Sequence, residues 1–332
     1  MNLLPRVELG HWPTPVHSLP RLSAHLGAPE LWIKRDDLSG LAFGGNKTRK
    51  LETLCAAAQA ENADILITAG AIQSNHCRQT AAAAARLGLK CILVLVGEPT
   101  DHLSANLLLD HLLGAEIRWV VKAERDKSLQ SVFEESKAAG RRPFLIPYGG
   151  SNPTGAAAYA FALKELIDQE INPDWILFAT SSGGTQAGLL AGARLLDYRC
   201  KILGISVDEH ASDLRPRIAQ LAEETATLLG NPVSFSDDDV LVNGDYLGGG
   251  YAVMGSAERE AIDLIARHEG ILVDPVYTGR AAAGIIDLIR KEFFNKEERV
   301  LFWHTGGTPA LFADAYQTDL AKNPYRFGKS TR

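Results

Sequence analysis

The sequence predicts an α/β protein built on mostly parallel β-sheet. Short runs of β-branched and other apolar residues alternate along the chain with longer stretches of helical periodicity. Such alternation is typical of βαβ units, in which a helix connects two parallel strands. Some runs, such as Ile176–Ala179, are apolar at every position. This pattern indicates strands that are covered on both faces of the sheet.

The alternation predicts strands and helices in the following order. The predicted strands include Asp64–Gly70, Cys91–Gly97, Ile117–Val121, Pro143–Gly149, Trp175–Thr180, Lys201–Val207 and Val300–His304. The predicted helices include Gln79–Leu87, Ser104–Leu113, Gly155–Glu170, Gln186–Leu196, Ser256–His268 and Arg280–Lys291. No linker rich in Pro, Gly or Ser divides the chain, so this pattern alone predicts no domain boundary.

Composition and charge exclude several classes of function. Of the 332 residues 46% are apolar, and the net charge is −6 without a clustered excess of Lys and Arg, so we expect no nucleic-acid partner. Four widely spaced cysteines and nine histidines form no metal-ligand or disulfide pattern. No apolar run reaches the roughly 18 residues of a membrane helix. Because Met1–Gly10 also lacks the apolar core of a signal peptide, we expect a cytoplasmic protein with reduced thiols and no membrane partner.

The turn Ser181–Gly188 is a candidate phosphate site. It follows the predicted strand Trp175–Thr180 and opens a helix, and ligands of open parallel sheets bind at the carboxyl ends of strands. Its glycines, including Gly183 and Gly184, let backbone N–H groups approach an anion at the positive end of the helix dipole. The alternative is a tight turn with a serine cap. The dinucleotide pattern G-x-G-x-x-G fits in no register.

Lys47 lies at the start of a predicted helix, directly after Gly44-Gly45-Asn46. A P-loop is disfavoured because Asn46 shifts the lysine by one position and no apolar strand precedes the segment. The helix dipole, Arg49 and Lys50 should lower the pKa of the Lys47 amine and favour Schiff-base chemistry. Taken alone, however, the motif is more simply explained as a solvated basic helix start.

Three consecutive polar residues, Ser74, Asn75 and His76, precede the predicted helix Gln79–Leu87. Their hydrogen-bonding groups at a helix N-terminus predict a receptor for a carboxylate or another anion. The alternative is a helix cap, which needs only one of the three. No G-x-S-x-G motif surrounds Ser74, which disfavours an acyl-transfer hydrolase.

Two further glycine turns, Tyr148–Asn152 and His304–Thr308, each follow a predicted strand and can also be plain turns. Tyr251 and Tyr277 lie beside glycines as well. A tyrosine ring can stack on a flat cofactor, and its phenol can transfer a proton, although packing is the default for a lone tyrosine.

One cofactor, pyridoxal 5′-phosphate (PLP), accounts for these candidates together. PLP needs a lysine amine for its aldehyde, a cup for its phosphate, a surface for its ring and a partner for its pyridine nitrogen. The chain offers Lys47, the Gly183–Gly188 turn, Tyr277 and Thr305 respectively. A hypothesis from a different class is a non-catalytic protein that binds a phosphate ligand.

Several motifs are specific in combination. They are Gly44-Gly45-Asn46-Lys47-x-Arg49-Lys50-Leu51-Glu52, Ser74-Asn75-His76-x-Arg78-Gln79-Thr80, Asp274-Pro275-Val276-Tyr277-Thr278-Gly279, His304-Thr305-Gly306-Gly307-x-Pro309-Ala310-Leu311-Phe312, Pro13-Thr14-Pro15 and Lys34-Arg35-Asp36-Asp37. Together they resemble the family of D-cysteine desulfhydrase and 1-aminocyclopropane-1-carboxylate deaminase, which also includes L-cysteate sulfo-lyase. The similarity extends over essentially the whole chain.

The resemblance implies PLP fold type II, the tryptophan synthase β-like fold, with two open, twisted, mostly parallel sheets flanked by helices. It implies a larger domain of residues 1–49 and 155–332, a smaller inserted domain of residues 50–154, and a homodimer. Lys47 would be the Schiff-base lysine. Ser74, Asn75 and His76 would receive the substrate carboxylate, and Ser74 is also a candidate for proton transfer. The remaining implied site residues are Asn46, Gly183, Gly184, Thr185 and Thr305 for the cofactor, with Tyr251 and Tyr277 at the ring and substrate.

Two positions distinguish the branches of this family. The cyclopropane-opening deaminases carry a glutamate at the position of Thr278, where it protonates the pyridine nitrogen, and tend to carry Gln at the position of His76. A neutral Thr305 or Thr278 near that nitrogen makes the cofactor a weaker electron sink. The sequence therefore predicts β-elimination, most simply of D-cysteine to pyruvate, hydrogen sulfide and ammonia. L-Cysteate elimination and cyclopropane opening are the alternatives.

Overall fold

The computed structural model describes residues 1–322, which form ten strands and eleven α-helices. The strands are β1 (Val16–Ser18), β2 (Glu30–Arg35), β3 (Ile65–Ala71), β4 (Lys90–Val96), β5 (Glu116–Val120), β6 (Pro143–Leu145), β7 (Trp175–Thr180), β8 (Lys201–Ser206), β9 (Leu241–Asn243) and β10 (Arg299–His304). The helices are α1 (Pro20–Leu26), α2 (Asn46–Ala60), α3 (Asn75–Leu87), α4 (Ala105–Leu112), α5 (Arg125–Ala138), α6 (Pro153–Asp168), α7 (Gly184–Leu195), α8 (Ala211–Leu228), α9 (Ser256–Glu269), α10 (Thr278–Arg290) and α11 (Asp314–Ala321).

The strands form two sheets. The six-stranded sheet has the order β1-β2-β10-β7-β8-β9 and is parallel except for β1, which pairs antiparallel with β2. The four-stranded sheet has the order β5-β4-β3-β6 and is parallel throughout. Strands from both ends of the chain build the first sheet, whereas the second is built within residues 65–145. The predicted class, an α/β protein with two mostly parallel sheets, is confirmed.

The six-stranded sheet is buried on both faces. Leu177 and Phe302 point to one face and pack with α9 and α10, while their neighbours Phe178 and Leu301 point to the other face and pack with α6 and α7. Successive side chains of a strand point to opposite faces, so a strand that is covered on both sides has apolar residues at consecutive positions. This burial explains the continuous apolar runs in the sequence.

Three strands and several helices were absent from the sequence prediction. β1 and β9 have only three residues each. β2 carries charged residues, including Lys34, which is buried and donates to Glu165 at 2.5 Å. The strand predicted over Pro143–Gly149 ends at Leu145, because the backbone turns at Gly149 with φ +65°.

A buried ion cluster fixes the direction of α2. The guanidinium of Arg49 pairs with Asp36 at 2.8 Å and with Glu165 of α6 at 2.9 Å. The Asp36 carboxylate also accepts hydrogen bonds from the Tyr159 hydroxyl at 2.6 Å and from Trp303 Nε1 at 2.8 Å. Asp36 follows β2 and Trp303 lies on β10, so the cluster joins α2 to the six-stranded sheet and to α6.

Replacing Arg49 with Met should lower the free energy of unfolding by about 3–5 kcal/mol, because Asp36 would remain buried without its cation. Urea denaturation measures this change. The control is Arg290→Met, which removes an ion pair with Glu260 in which both side chains are 47% exposed. That replacement should lower the free energy of unfolding by only about 0–1 kcal/mol. Equal losses in the two variants would contradict the assignment of Arg49 as a structural anchor.

A second buried acid, Asp110 on α4, forms no ion pair with any residue in 1–322. Its side chain is fully buried, and neither carboxylate oxygen has a hydrogen-bond partner within residues 1–322. Burial raises the pKa of Asp110 well above its usual value, and the charge of Arg78 opposes this shift only partly. The folded chain therefore keeps a proton on Asp110 at pH values where the unfolded chain has lost it.

This proton makes stability depend on pH. From about pH 4 upward, the free energy of unfolding should fall by up to about 1.4 kcal/mol per pH unit, until the pH passes the folded-state pKa of Asp110. Asp110→Asn removes this contribution. The difference in unfolding free energy, wild type minus variant, should therefore decrease as pH rises, as measured by urea denaturation at several pH values. Parallel pH profiles for the two proteins would refute the prediction.

Candidate active site

One cavity, partly open to solvent, lies at the carboxyl ends of strands from both sheets. It brings together residues that follow β3, β7 and β10 with the start of α2. Of the residues named from the sequence, the lining includes Asn46, Lys47, Ser74, Asn75, His76, Gly183, Thr185, Tyr277 and Thr305. Gly184 and Tyr251 are not in the lining, but Gly184 directly follows Gly183 and the Tyr251 hydroxyl lies 2.5 Å from that of Tyr277.

The start of α2 is pressed against the end of β10. The backbone N–H of Asn46 donates to the Thr305 carbonyl at 2.9 Å. A Cβ atom at Gly45 would lie 2.9 Å from that same carbonyl oxygen, and Gly45 has φ +124°. Only glycine tolerates both the backbone conformation and the close approach. Lys47 in the first turn of α2 consequently extends into the cavity, where its Nζ donates to the Gly149 carbonyl at 3.3 Å.

Burial lowers the pKa of Lys47 to about 8. The sequence predicted a lowered pKa but attributed it to Arg49 and Lys50. For Arg49 this attribution is wrong, because its guanidinium faces Asp36 and Glu165 within the buried ion cluster. The free amine at position 47 arises from desolvation, which disfavours the charged form of a lysine.

Lys50 does not line the cavity but packs directly against Gly149, Ser151 and Gly184, a position that the sequence analysis missed. Its Nζ donates to the same Gly149 carbonyl at 3.2 Å and to Ser151 Oγ at 3.2 Å, and the residue is 1% exposed. Within the described residues no carboxylate lies within 4 Å of either lysine amine. Burial and the charge of Lys47 together hold the pKa of Lys50 well below its usual value. The spacing of three residues could have revealed that both lysines lie on one helix face.

The turn before α7 provides the other half of an anion site. Gly183 has φ +84°, and α7 begins at Gly184. A Cβ atom at Gly184 would lie 2.5 Å from Ser151 Oγ and 2.8 Å from Lys50 Nζ. Backbone N–H groups of a helix N-terminus, the half-buried amine of Lys47, the buried amine of Lys50 and the hydroxyls of Ser151 and Ser182 thus converge here. The nearest carboxylate contact of the turn is that of Ser181 with Asp208 at 2.6 Å. This donor set fits a phosphate group.

The segment Ser74–His76 is both a helix cap and part of the cavity. Ser74 Oγ accepts from the backbone N–H of Cys77 at 3.2 Å and caps α3. His76 Nε2 lies 2.9 Å from Thr68 Oγ1. Burial, reinforced by Lys47 and Lys50, holds the pKa of His76 well below its usual value, so this imidazole is uncharged at neutral pH.

Two tyrosines form a hydrogen-bonded pair at the cavity. The hydroxyls of Tyr251 and Tyr277 are 2.5 Å apart, and their rings pack edge to face with centroids 6.0 Å apart. Burial raises the pKa of both phenols, which therefore stay protonated. Tyr277 lines the cavity, whereas Tyr251 reaches it only through its partner. Tyr148, from the turn after β6, also lines the cavity.

Thr305 and Thr278 differ in their position relative to the cavity. Thr278 is fully buried, donates to Asp274 Oδ1 at 2.7 Å and accepts from the Asp274 backbone N–H at 2.8 Å. Of these two threonines, Thr305 lines the cavity. The described part of the lining contains no Asp or Glu side chain.

The described residues contain no group of three or more His, Cys, Asp or Glu side chains arranged to hold a metal ion. None of the helices in residues 1–322 combines the length and apolar character needed to cross a membrane. Cys55, Cys77, Cys91 and Cys200 are all present as free thiols.

Similarity to known proteins extends over most of the chain. D-Cysteine desulfhydrase of Salmonella typhi is 43% identical over 323 residues, which cover 94% of this chain and 97% of that protein. The D-cysteine desulfhydrase of Salmonella choleraesuis (strain SC-B67) matches with the same identity and coverage.

Solved structures also resemble this chain over most of its length. A structure described as an ACC deaminase homologue superposes with a TM-score of 0.88 at 40% identity, covering 96% of this chain and 95% of that one. A fungal L-serine ammonia-lyase from Rhizomucor miehei, at 16% identity and a TM-score of 0.68, covers 95% of this chain and 99% of its own, and shares the fold alone.

The model of the family described as "Pyridoxal-phosphate dependent enzyme" matches residues 7–306. This match covers most of the chain, including the lysine at the start of α2 and the glycine turn before α7. The cofactor predicted from the sequence is confirmed, and the chain belongs to the family of pyridoxal-phosphate dependent enzymes.

Proposed function

We propose that the protein is a D-cysteine desulfhydrase, which converts D-cysteine and water to pyruvate, hydrogen sulfide and ammonia. The observation that carries this proposal is the pair of amines, half-buried Lys47 and buried Lys50, beside the glycine turn before α7. One amine serves the aldehyde of the cofactor and the other serves its phosphate. The 43% identity to enzymes of that name supports the choice of substrate.

The chain offers groups to three parts of the cofactor, which are its phosphate, its aldehyde and its pyridine nitrogen. Gly183, Gly184, Thr185 and Lys50 hold the phosphate, while Lys47 provides the amine that bonds to the aldehyde. Thr305 offers a neutral hydroxyl to the pyridine nitrogen, and Asn46, whose Nδ2 donates to Thr185 Oγ1 at 3.2 Å, joins the lysine to the phosphate turn. When bound, PLP supplies an electron-withdrawing ring that weakens the bonds at the substrate Cα.

The substrate carboxylate binds at the N-terminus of α3. Ser74 and Asn75 offer a hydroxyl and an amide there, and the helix dipole favours the negative charge. His76 is uncharged, and its Nε2–H donates to Thr68 Oγ1, whose own proton goes to the Ile146 carbonyl, so His76 shapes this end of the cavity without adding a charge. Orientation at this site fixes which face of Cα turns toward the Lys47 amine.

Elimination breaks the Cα–H and Cβ–S bonds. The Lys47 amine, which is free once the substrate amine has replaced it and has a pKa of about 8, takes the Cα proton, and Ser74 is the alternative base. The sulfur departs with the Cβ–S electron pair as hydrosulfide. Tyr277, supported by the Tyr251 hydroxyl at 2.5 Å, is protonated and can donate a hydrogen bond or proton to that sulfur. The released CH2=C(NH2)–carboxylate gains a proton at Cβ, and water then adds at Cα and displaces the nitrogen, which gives pyruvate and ammonia.

Cyclopropane opening is the second candidate, because one solved relative is described as an ACC deaminase homologue. The cavity favours β-elimination instead. Its described lining has no carboxylate for the pyridine nitrogen, and the Thr278 hydroxyl is fully used by Asp274. A neutral partner suits a reaction that expels a good leaving group, such as hydrosulfide or the sulfite of L-cysteate.

We further propose a cytoplasmic homodimer of two-domain chains, with a larger domain of residues 1–49 and 155–332 and a smaller domain of residues 50–154. The location of the four-stranded sheet within residues 65–145 supports this division, although the boundary at residue 49 cuts α2. Exposed apolar side chains support a dimer contact: Leu38 (46%) and Phe43 (59%) beside the Gly44–Gly45 turn, and Phe312 (59%) in the segment after β10. Light scattering that gives the mass of one chain would contradict the dimer.

Replacing Lys47 with Ala should abolish hydrosulfide release and borohydride trapping of the cofactor on the protein. The assay compares D-cysteine, L-cysteine, L-cysteate, D-serine and 1-aminocyclopropane-1-carboxylate, with D-cysteine preferred by wild type. The control is Lys164→Ala, at an exposed lysine that pairs with Asp168. Retained turnover in Lys47→Ala would overturn the lysine assignment. Preference for the cyclopropane would overturn the choice of reaction, and a colourless wild type that binds no PLP would favour a non-catalytic protein.

Replacing Lys50 with Met should weaken PLP binding about 10- to 100-fold, because the phosphate loses a charge-assisted hydrogen bond. Binding of pyridoxal, which has no phosphate, should not weaken, because Lys47 remains. Equilibrium titration of the apoprotein, followed by visible absorbance, measures both affinities. An equal loss for the two ligands would show that Lys50 does not contact the phosphate.

A further inference from the structure

The amide of Asn75 has a fixed orientation. Its Oδ1 accepts from Arg78 Nη1 at 2.9 Å and from Asn106 Nδ2 at 3.0 Å. A guanidinium has donors only, so the atom that faces Arg78 must be the amide oxygen. Both acceptor positions of that oxygen are occupied by these two donors. The opposite end of the amide, Nδ2, therefore remains as the donor that Asn75 presents to the cavity.

Arg78 connects this amide to the loop before the lysine. The side chain is fully buried, and Nη1 also donates to Asn106 Oδ1 at 2.8 Å. Its Nη2 donates to the Gly44 carbonyl at 3.1 Å, and the Gln79 side-chain amide donates to the same oxygen. The planar guanidinium of Arg78 thus holds Asn75, at the start of α3, in a fixed position relative to the Gly44–Gly45 turn.

Asn106 closes the network from α4. Its backbone N–H donates to Gln73 Oε1 at 2.8 Å, and its Nδ2 donates to the Gln73 carbonyl at 2.8 Å. Gln73 Nε2 in turn donates to the Ser104 carbonyl at 3.1 Å. Asn106 is fully buried, and neither Arg78 nor Asn106 lines the cavity.

We propose that Arg78 and Asn106 are positioning residues that hold Asn75 with its amide N–H groups toward the carboxylate of the amino-acid substrate. They act on carboxylate recognition through Asn75 and do not touch the substrate. The inference rests on the proposed function for the identity of the ligand, an amino acid. It adds the origin of carboxylate selectivity, which the cavity lining alone does not provide.

The charges around Arg78 agree with this role. Burial lowers its pKa to about 10, with Asp110 and Asp274 acting in the opposite direction, so the guanidinium is still a cation at neutral pH. A buried cation beside the Asn75 oxygen polarises the amide, because it attracts electron density toward that oxygen. The N–H groups that face the ligand thereby become stronger donors. An anionic group of the substrate is thereby favoured over a neutral one.

The experiment compares two ligands that differ only in the carboxylate, D-alanine and ethylamine, on the PLP-loaded enzyme. Visible absorbance of the cofactor reports binding of either amine. In Arg78→Lys, affinity for D-alanine should fall about 10- to 100-fold while affinity for ethylamine stays within twofold. A lysine keeps the charge but cannot bridge Asn75, Asn106 and Gly44. The control is Arg86→Lys, at an exposed arginine of the same helix.

Two further variants separate positioning from a general structural role. Asn106→Asp keeps the acceptor for Arg78 but loses the donor to Asn75 Oδ1, and it should reproduce the carboxylate-specific loss. In an Asn75→Ala background, Arg78→Lys should not change the ratio of the two affinities any further. Equal losses for both ligands, or a further change of the ratio without Asn75, would overturn the proposal.

The same measurements distinguish this inference from the proposed function. If wild type releases no hydrosulfide from D-cysteine but prefers D-alanine to ethylamine through Arg78, the proposed function fails and the positioning role stands. If D-cysteine is converted and Arg78→Lys weakens binding of both ligands equally, the proposed function stands and the positioning role fails.

Discussion

The contact between Arg49 and the buried carboxylates of Asp36 and Glu165 is the constraint on which the site depends. Residues two positions apart on a helix point about 200° away from each other, so anchoring Arg49 on one side turns Lys47 to the other. Lys50, one turn later, then lies beside Lys47 on the cavity side. Because a buried pair of this kind is costly to break, the helix cannot rotate to expose its lysines to water. The same contact that stabilises the fold therefore keeps the reactive amine desolvated.

Much of the architecture could be predicted from the sequence, because burial on both faces leaves a direct trace in apolar runs such as Trp175–Thr180. β2 could not be predicted in this way, because the burial of its Lys34 depends on Glu165, a residue more than a hundred positions away. The end of β6 depends on the backbone turn at Gly149, and a strand pattern does not reveal it. Elements whose burial depends on a distant charge or on a local turn are those that periodicity misses.

The candidate site, too, could be predicted only in part from the sequence. Glycine-rich turns at strand ends mark positions where a backbone must approach a ligand, and the structure gathers the turns at Gly183, Ser74 and Thr305 around one cavity. Lys50 was missed, because its sequence neighbours look like a solvated basic helix start and only tertiary packing reveals its depth. For Lys47 the direction of the pKa shift followed from the sequence, while its cause, burial rather than Arg49, did not.

The two lysines that share the Gly149 carbonyl also couple cofactor loading to folding. Both amines donate to one carbonyl oxygen, at 3.3 and 3.2 Å, and burial lowers the pKa of each. A phosphate held as proposed would contact these amines only in the folded state, so the vitamin-derived ligand would stabilise the protein by mass action. Destabilised chains of this protein should accordingly be most vulnerable to loss in cells that are short of vitamin B6, even where the altered residue lies far from the cavity.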